Sequence, residues 1–265
     1  MGIFRTKSIA EYQHDASDSH LKRAMGSLDV TLLGIGVIVG TGIFVLTGVA
    51  AAKYAGPALI LSFLIASIAC GFVSMAYSEL AAMIPVAGSA YAYAYTSVGE
   101  FLAWLVGWNL VLEYSVGASA VASGWSAYVV GLLKTAGFEL PKAWTMVPSD
   151  GGIVNLPAIF ITLFLTILLV RGVKESVTVN KLLVGVKLLA IFIFLFLAAP
   201  SVDVTNWDPF MPFGFSGVSA GAAVIIYAYL GVDSIATAAE ETKNPAHDMP
   251  TGIIGSLVIC TVLYI

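Results

Sequence analysis

Four glycines crowd into eleven residues, Gly34 to Phe44 (GIGVIVGTGIF), in the middle of an apolar run long enough to cross a membrane. Two charged residues sit in similar surroundings, Glu113 within VLEYSV and Lys187 within VNKLLVGVKLLAIF. An ionised side chain in hydrocarbon is costly, so it usually turns to the bundle interior and meets a partner there. Glycine is the weakest helix former after proline, and backbone freed at membrane depth is tolerated only where protein encloses it or it lines a cavity. The chemistry on offer is therefore coordination by main-chain groups and proton exchange at a carboxyl or an amine. No nucleophile–base arrangement or phosphate loop occurs, and His14, His20 and His247 have no metal-ligand company. No reaction and no cofactor is expected.

The elements that must position these groups follow from composition. Hydrophobic residues make up 59% of the chain and charged residues 11%, with a mean hydropathy of +0.94, whereas soluble domains carry about 25% charged residues. This is the composition of an all-α polytopic membrane protein surrounded by a lipid bilayer. The net charge of −4 comes from short exposed segments and leaves no footprint for nucleic acid; no protein partner can be named. Cys70 and Cys260 lie in apolar runs without disulfide or metal spacing and read as lipid-facing or packing residues. Residues 1–28 are polar and lack the apolar core and cleavage site of a signal peptide, so they read as a cytoplasmic N-terminal segment.

Apolar runs near the roughly 20 residues that span a bilayer place helices at about 29–53, 57–83, 101–133, 153–171, 182–199 and 218–239, with a seventh begun near 250. The last run, GIIGSLVICTVLYI, is shorter than a span, and the sequence is expected to break off within helix 7. YAGP (Tyr54 to Pro57) separates the first span from the second, PVAGSAYAYAY links the second to the third, and Pro200 to Pro212 forms a surface loop. With the N-terminus inside, Arg5, Lys7, Lys22, Arg23, Arg171, Lys174, Lys181 and Lys243 are cytoplasmic, eight against the three of Lys53, Lys134 and Lys142 outside. That asymmetry sets the orientation and leaves Lys187 in the membrane.

The glycines Gly34, Gly36, Gly40, Gly42 and Gly48 admit two readings: close helix packing by small residues, or an unwound segment near Val39 to Gly42. The sixth span favours the second, because AAVIIYAYLGVDSIATAAEE is interrupted at YAYLG (Tyr227 to Gly231) as well. Two interrupted helices five spans apart match an inverted repeat. Helix 1 runs outward, so its outer half begins near Gly42 and presents free N–H groups, a place for a carboxylate. Helix 6 runs inward, so its outer half ends near Tyr227 to Leu230 and presents free carbonyls, a place for an ammonium. Together they describe a receptor for a zwitterion such as an α-amino acid.

The runs LKRAMGSLDVTLLGIGVIVGTGIFVLTG (Leu21 to Gly48), GWNLVLEYSVGASAVASGWS and EETKNPAHDMP closely resemble the amino acid permeases of the amino acid–polyamine–organocation superfamily. The cationic amino acid transporter branch and its bacterial relatives fit best. The resemblance implies an inverted-repeat (5+5) transporter fold with discontinuous helices 1 and 6, a first repeat at 29–200 and the start of a second at 201–265. It implies a substrate site between helices 1, 3, 6 and 8, and alternating access.

By the same resemblance the substrate carboxylate meets Gly40, Thr41 and Gly42, and the amine meets carbonyls near Ile38, with Tyr227, Ala228 and Leu230 as the matching positions on helix 6. Thr41 could instead only cap the outer half-helix. Tyr227 is a lid over the substrate or an ordinary bundle aromatic; Tyr229, Gly34 and Gly36 read as packing. Glu113 serves coupling or substrate selection, or is a structural residue holding Thr41 or Tyr114. Lys187 lies near enough the cytoplasmic surface to snorkel, whereas the resemblance directs its ammonium at the helix 1 break in place of a sodium ion. Proton coupling through Lys187 without sodium is the sharper expectation. Asp233 is left open between gate and packing partner. The expected function is secondary active amino acid transport across the plasma or inner membrane. The rivals are a polyamine or amine exchanger of the same fold and a non-transporting membrane sensor or subunit.

Overall fold

The structure, a computed structural model, describes residues 5–12, 23–40, 42–170 and 177–265. Regular structure among these is helical, apart from two isolated bridges, Met25 with Thr242 and Thr145 with Asn155. In chain order the α-helices of five residues or more among these are α1 (Ser27–Ile38), α2 (Leu59–Met83), α3 (Ser89–Ser97), α4 (Glu100–Thr135), α5 (Leu156–Val170), α6 (Val177–Ala198), α7 (Gly214–Ile225), α8 (Val232–Ala236) and α9 (Pro245–Tyr264). Among the described residues, five helical stretches are long and apolar enough to cross a membrane: Ser27–Met83, Glu100–Thr135, Lys181–Ser201, Gly214–Glu241 and Pro245–Tyr264. The first, at 57 residues, is more than twice the span a bilayer needs, and the turn at Gly56–Ala58 with its Pro57 divides it.

Contacts divide the chain into two compact units, Met1–Gly107 with Ser176–Ile265, and Trp108–Glu175. In the second, α5 starts beside Asn155, whose side-chain carbonyl accepts from the Ala158 amide at 3.1 Å and from the Ser126 hydroxyl at 2.6 Å. Both bonds occupy one polar side chain at the mouth of an otherwise apolar helix.

The first unit holds both interruptions. α1 stops at Val39, whose ψ of 91° leaves the helical region. Helical structure resumes as a π-helical turn at Gly42–Leu46, an α-helical turn at Thr47–Ala50 and a second π-helical turn at Ala51–Ala55. The second interruption follows α7, where a tight 3₁₀ turn at Ile226–Tyr229 leads to an extended Leu230 with ψ 146°. Gly231 then takes a φ of +127°, which a residue with a Cβ rarely adopts, before α8 begins.

Small residues decide how closely these helices approach. A Cβ at Gly34 would overlap Ser256 and come within 2.9 Å of Ile235, and one at Gly252 would lie 2.6 Å from the Cβ of Val30. α1 and α9 thus cross with one glycine from each, and Val30, Ile35, Ile253 and Cys260 are buried around the crossing. Inside a bilayer, where hydrocarbon surrounds the helices anyway, such contact contributes through van der Waals packing rather than through the hydrophobic effect. Cys260 is therefore a packing residue and Cys70 is half-buried; both are free thiols.

At the polar end of α1 the Asp29 carboxylate uses both oxygens. One accepts from the Gly26 amide at 3.0 Å, and the other pairs with Lys181 of α6 at 2.6 Å. Beside it, the amides of Ala24 and Met25 donate to the Glu241 carbonyl at 2.9 and 3.1 Å, and the Lys243 amide donates back to the Met25 carbonyl at 2.8 Å. The Glu240 carboxylate accepts from the Ala87 amide at 3.0 Å, and the Ser89 hydroxyl donates to the carbonyl of buried Asp233 at 2.8 Å. The EETKNP turn is thereby stitched to the start of α1 and to the segment carrying α3. Because Val30 fills the space over Gly252, Gly252→Leu in the complete gene product should destabilise it by about 1–3 kcal/mol through overpacking. A lower thermal midpoint in detergent is the expected readout.

Candidate functional site

The end of a helix leaves its last four carbonyls without helical partners. In α1 these include Gly36, Val37 and Ile38; Gly36 is half-buried and Ile38 buried, while Val37 is 38% exposed. Ile35, one step earlier, keeps its helical bond from the Val39 amide at 2.9 Å. Two of the three have identified donors. Gly36 accepts from the Lys187 ammonium at 2.7 Å, and Ile38 accepts from the Tyr264 hydroxyl at 2.8 Å. The half-buried Lys187 thus reaches across from α6 to a carbonyl in the last turn of α1. A cation there also complements the partial negative charge that the helix accumulates at its C-terminal end.

The second interruption lies against the first. A Cβ built on Gly42 would sit 2.5 Å from the Cβ of Ala228 and 2.6 Å from its Cα, and a Cβ on Gly231 would overlap Val37. The same Tyr264 hydroxyl lies 3.3 Å from the Ala228 carbonyl. One point in the unit therefore gathers the C-terminal carbonyl of α1, the start of the following helical run at Gly42, and a carbonyl from the 3₁₀ turn that ends the α7 stretch. Behind this point Tyr229, Phe63 and Tyr264 form an aromatic trio, with Tyr264 5.4 Å from each of the other two rings.

The residues singled out from the sequence fall into three groups. Ile38, Gly40, Gly42, Ala228 and Lys187 belong to this junction or its immediate support. Thr41 lies outside the described residues. Tyr227 and Leu230 flank the second interruption with exposed side chains, Tyr227 at 67%, whereas Tyr229 is buried at 1%. Glu113, which its mid-span position marked for coupling or for a structural bond in the bundle interior, is in the second unit with an exposed side chain on α4.

Two details differ from the expected division of labour. Gly36, read as a packing residue, supplies the carbonyl that receives Lys187. Gly40 and Gly42 are unlike each other: the side-chain position of Gly42 is filled by Ala228, but a Cβ at Gly40 would meet nothing closer than the Val37 carbonyl at 4.0 Å. Gly42 is thus needed for the two interruptions to touch, and only Gly40 leaves room for something else to approach. Tyr264 was missed altogether, since a tyrosine in the apolar run GIIGSLVICTVLYI carries no sequence sign of its partners.

Interrupted helices with their free backbone ends gathered inside a bundle define a class of multi-pass membrane protein built around a main-chain polar centre. Within that class the chain belongs to the amino acid permease family, which it matches over residues 25–265. It is 46% identical to the methylthioribose transporter of Bacillus subtilis (strain 168), over 99% of this chain and 58% of that protein. Identity is 47% to the branched-chain amino acid permease BcaP of the same strain, over 99% of this chain and 57% of that protein. Cationic amino acid transporter 4 of Homo sapiens is 38% identical over 94% of this chain and 40% of its own length. The chain thus spans less than two thirds of these relatives.

The unequal surroundings of the two glycines give a direct test. Gly42→Ala should lower the thermal midpoint of the complete gene product, while Gly40→Ala should leave its stability within about 0.5 kcal/mol of the parent and its midpoint nearly unchanged. Equal midpoints for the two variants would contradict the contact between Gly42 and Ala228.

Proposed function

We propose that the complete gene product is a secondary active transporter that carries free amino acids across the plasma or inner membrane by alternating access. The observation that supports this most is the junction itself, where Gly42 lies against Ala228 and the carbonyls of Ile38 and Ala228 share one donor. Amides at the start of a helical run favour an anion, and carbonyls at helix ends favour a cation. An α-amino acid offers both groups on one carbon. In this reading the carboxylate approaches Gly40, Thr41 and Gly42 along the open side of Gly40, the ammonium turns to carbonyls around Ile38, Ala228 and Leu230, and Tyr227 covers the bound substrate. The N-terminus is cytoplasmic, residues 29–200 form the first repeat of a 5+5 inverted architecture, and residues 201–265 begin the second.

Lys187 is the proton-coupling group of this proposal, with Glu113 of α4 as a second. A protonated Lys187 holds the Gly36 carbonyl with a charge-assisted bond. A neutral amine holds it more weakly, so protonation biases the interrupted helix toward one arrangement. The ammonium occupies a helix C-terminal position that a sodium ion could otherwise fill, which makes sodium dispensable.

A second reading rests on the relatives. Identity to the methylthioribose transporter is nearly equal to that with BcaP, and methylthioribose has neither a carboxylate nor an ammonium for the junction to grip. A competition panel on the purified complete gene product, containing branched-chain and cationic amino acids, a polyamine and methylthioribose, decides between them. Displacement by amino acids alone is expected, and displacement by methylthioribose or polyamine alone would overturn the proposal. In proteoliposomes, uptake driven by an imposed pH gradient should collapse in Lys187→Ala; unchanged uptake would remove the lysine from coupling. Choline in place of sodium should leave the parent's uptake unaltered, and a sodium requirement would contradict the role given to Lys187.

A further inference from the structure

We propose that Tyr264 is a positioning residue whose hydroxyl clamps the two interrupted helices together and thereby sets the geometry of the ammonium subsite. The role rests on the amino acid reading above and gives the donor shared by the two carbonyls a part in substrate recognition that the reading does not assign it. The geometry is specific. A phenol has one proton to donate, and here it faces two acceptors from segments far apart in sequence, the Ile38 carbonyl at 2.8 Å and the Ala228 carbonyl at 3.3 Å. The shorter bond satisfies the end of α1, and the longer one draws the 3₁₀ turn toward the same point. The side chain is 7% exposed.

The ring has little freedom to let the hydroxyl wander. It lies 5.4 Å from Phe63 and 5.4 Å from Tyr229 in tilted arrangements, and Phe63 and Tyr229 meet edge to face at 6.4 Å. The Tyr229 hydroxyl donates in turn to the Phe63 carbonyl at 3.5 Å. Tyr264 is thus a strut from α9, braced by α2 and by the interrupted segment itself. A carbonyl oxygen has two lone pairs, so one bond to Tyr264 leaves a second acceptor direction on each of Ile38 and Ala228. Holding both oxygens on one hydroxyl fixes those two free directions relative to each other. A substrate ammonium, with three donors, then finds a pair of aimed acceptors in place of two independently moving ones.

The alternative is a buried hydrogen bond with no bearing on substrate, and the test separates the two. Tyr264→Phe in the complete gene product, reconstituted in nanodiscs, keeps the ring stack and removes only the hydroxyl; 3-fluorotyrosine at 264 keeps a hydroxyl and should behave as the parent. Hydrogen exchange measures the clamp without any ligand: amides of 35–40 and 226–231 should exchange several-fold faster in Tyr264→Phe, with α2 unchanged. Unaltered exchange overturns the clamp, whatever the protein carries. Competition by L-leucine and by its des-amino analogue 4-methylpentanoate measures the subsite. The preference of the parent for leucine over the analogue should fall about five- to tenfold in Tyr264→Phe, with affinity for the analogue little changed. An equal loss for both compounds, or no loss, overturns the positioning role. A parent that binds no amino acid overturns instead the functional reading on which that role rests, and the exchange result still decides the clamp.

Discussion

A peptide carbonyl stranded in hydrocarbon is expensive, and a helix that stops in mid-membrane strands several at once. The polar architecture of the first unit answers that constraint. α1 ends at Ile38, and its last-turn carbonyls draw in an ammonium from α6 and a hydroxyl from α9. The second interruption is drawn to the same place because its Ala228 carbonyl shares the hydroxyl. Lys187 and Tyr264 are therefore structural before they are anything else, and any transport role is layered on a bond that the fold already needs.

The opposing requirement is steric. Two main chains can share one donor only if nothing stands between them, which explains glycine at 42 against Ala228 and at 231 against Val37. Glycine lowers helix stability by roughly 1 kcal/mol relative to alanine, a cost offset here by backbone contacts that no larger residue allows. The same logic operates one helical turn from the junction, where Gly34 lets Ser256 of α9 come close. Further out, where polar ends meet, ordinary capping returns: Asp29 serves the first turn of α1 and a lysine of α6 at once.

Much of this was legible in the sequence because hydropathy and glycine density are both local signals. The apolar runs announce helices able to cross a membrane, and GIGVIVGTGIF and YAYLG announce the two interruptions. What lay beyond reach is whatever depends on main-chain atoms and distant partners. Every residue has a carbonyl, so nothing marks Gly36 as the acceptor for Lys187; snorkelling and inward bonding are equally good readings of a lysine at that depth. Gly40 and Gly42 look alike as letters and differ only once Ala228 is placed. Tyr264 is separated from Ile38 by 226 residues, and an aromatic in an apolar helix is too ordinary to stand out. The π-helical turns after Gly42 have no sequence mark either, since Ile43 to Ala52 reads as a plain apolar helix that the YAGP break then ends.

A polar centre assembled from backbone has a consequence for how such a protein can diverge. Point mutation replaces side chains and leaves carbonyls and amides in place, so the groups around Ile38, Gly40 and Ala228 are insulated from the commonest route of sequence change. Drift can rewrite the surrounding walls while the anchor persists.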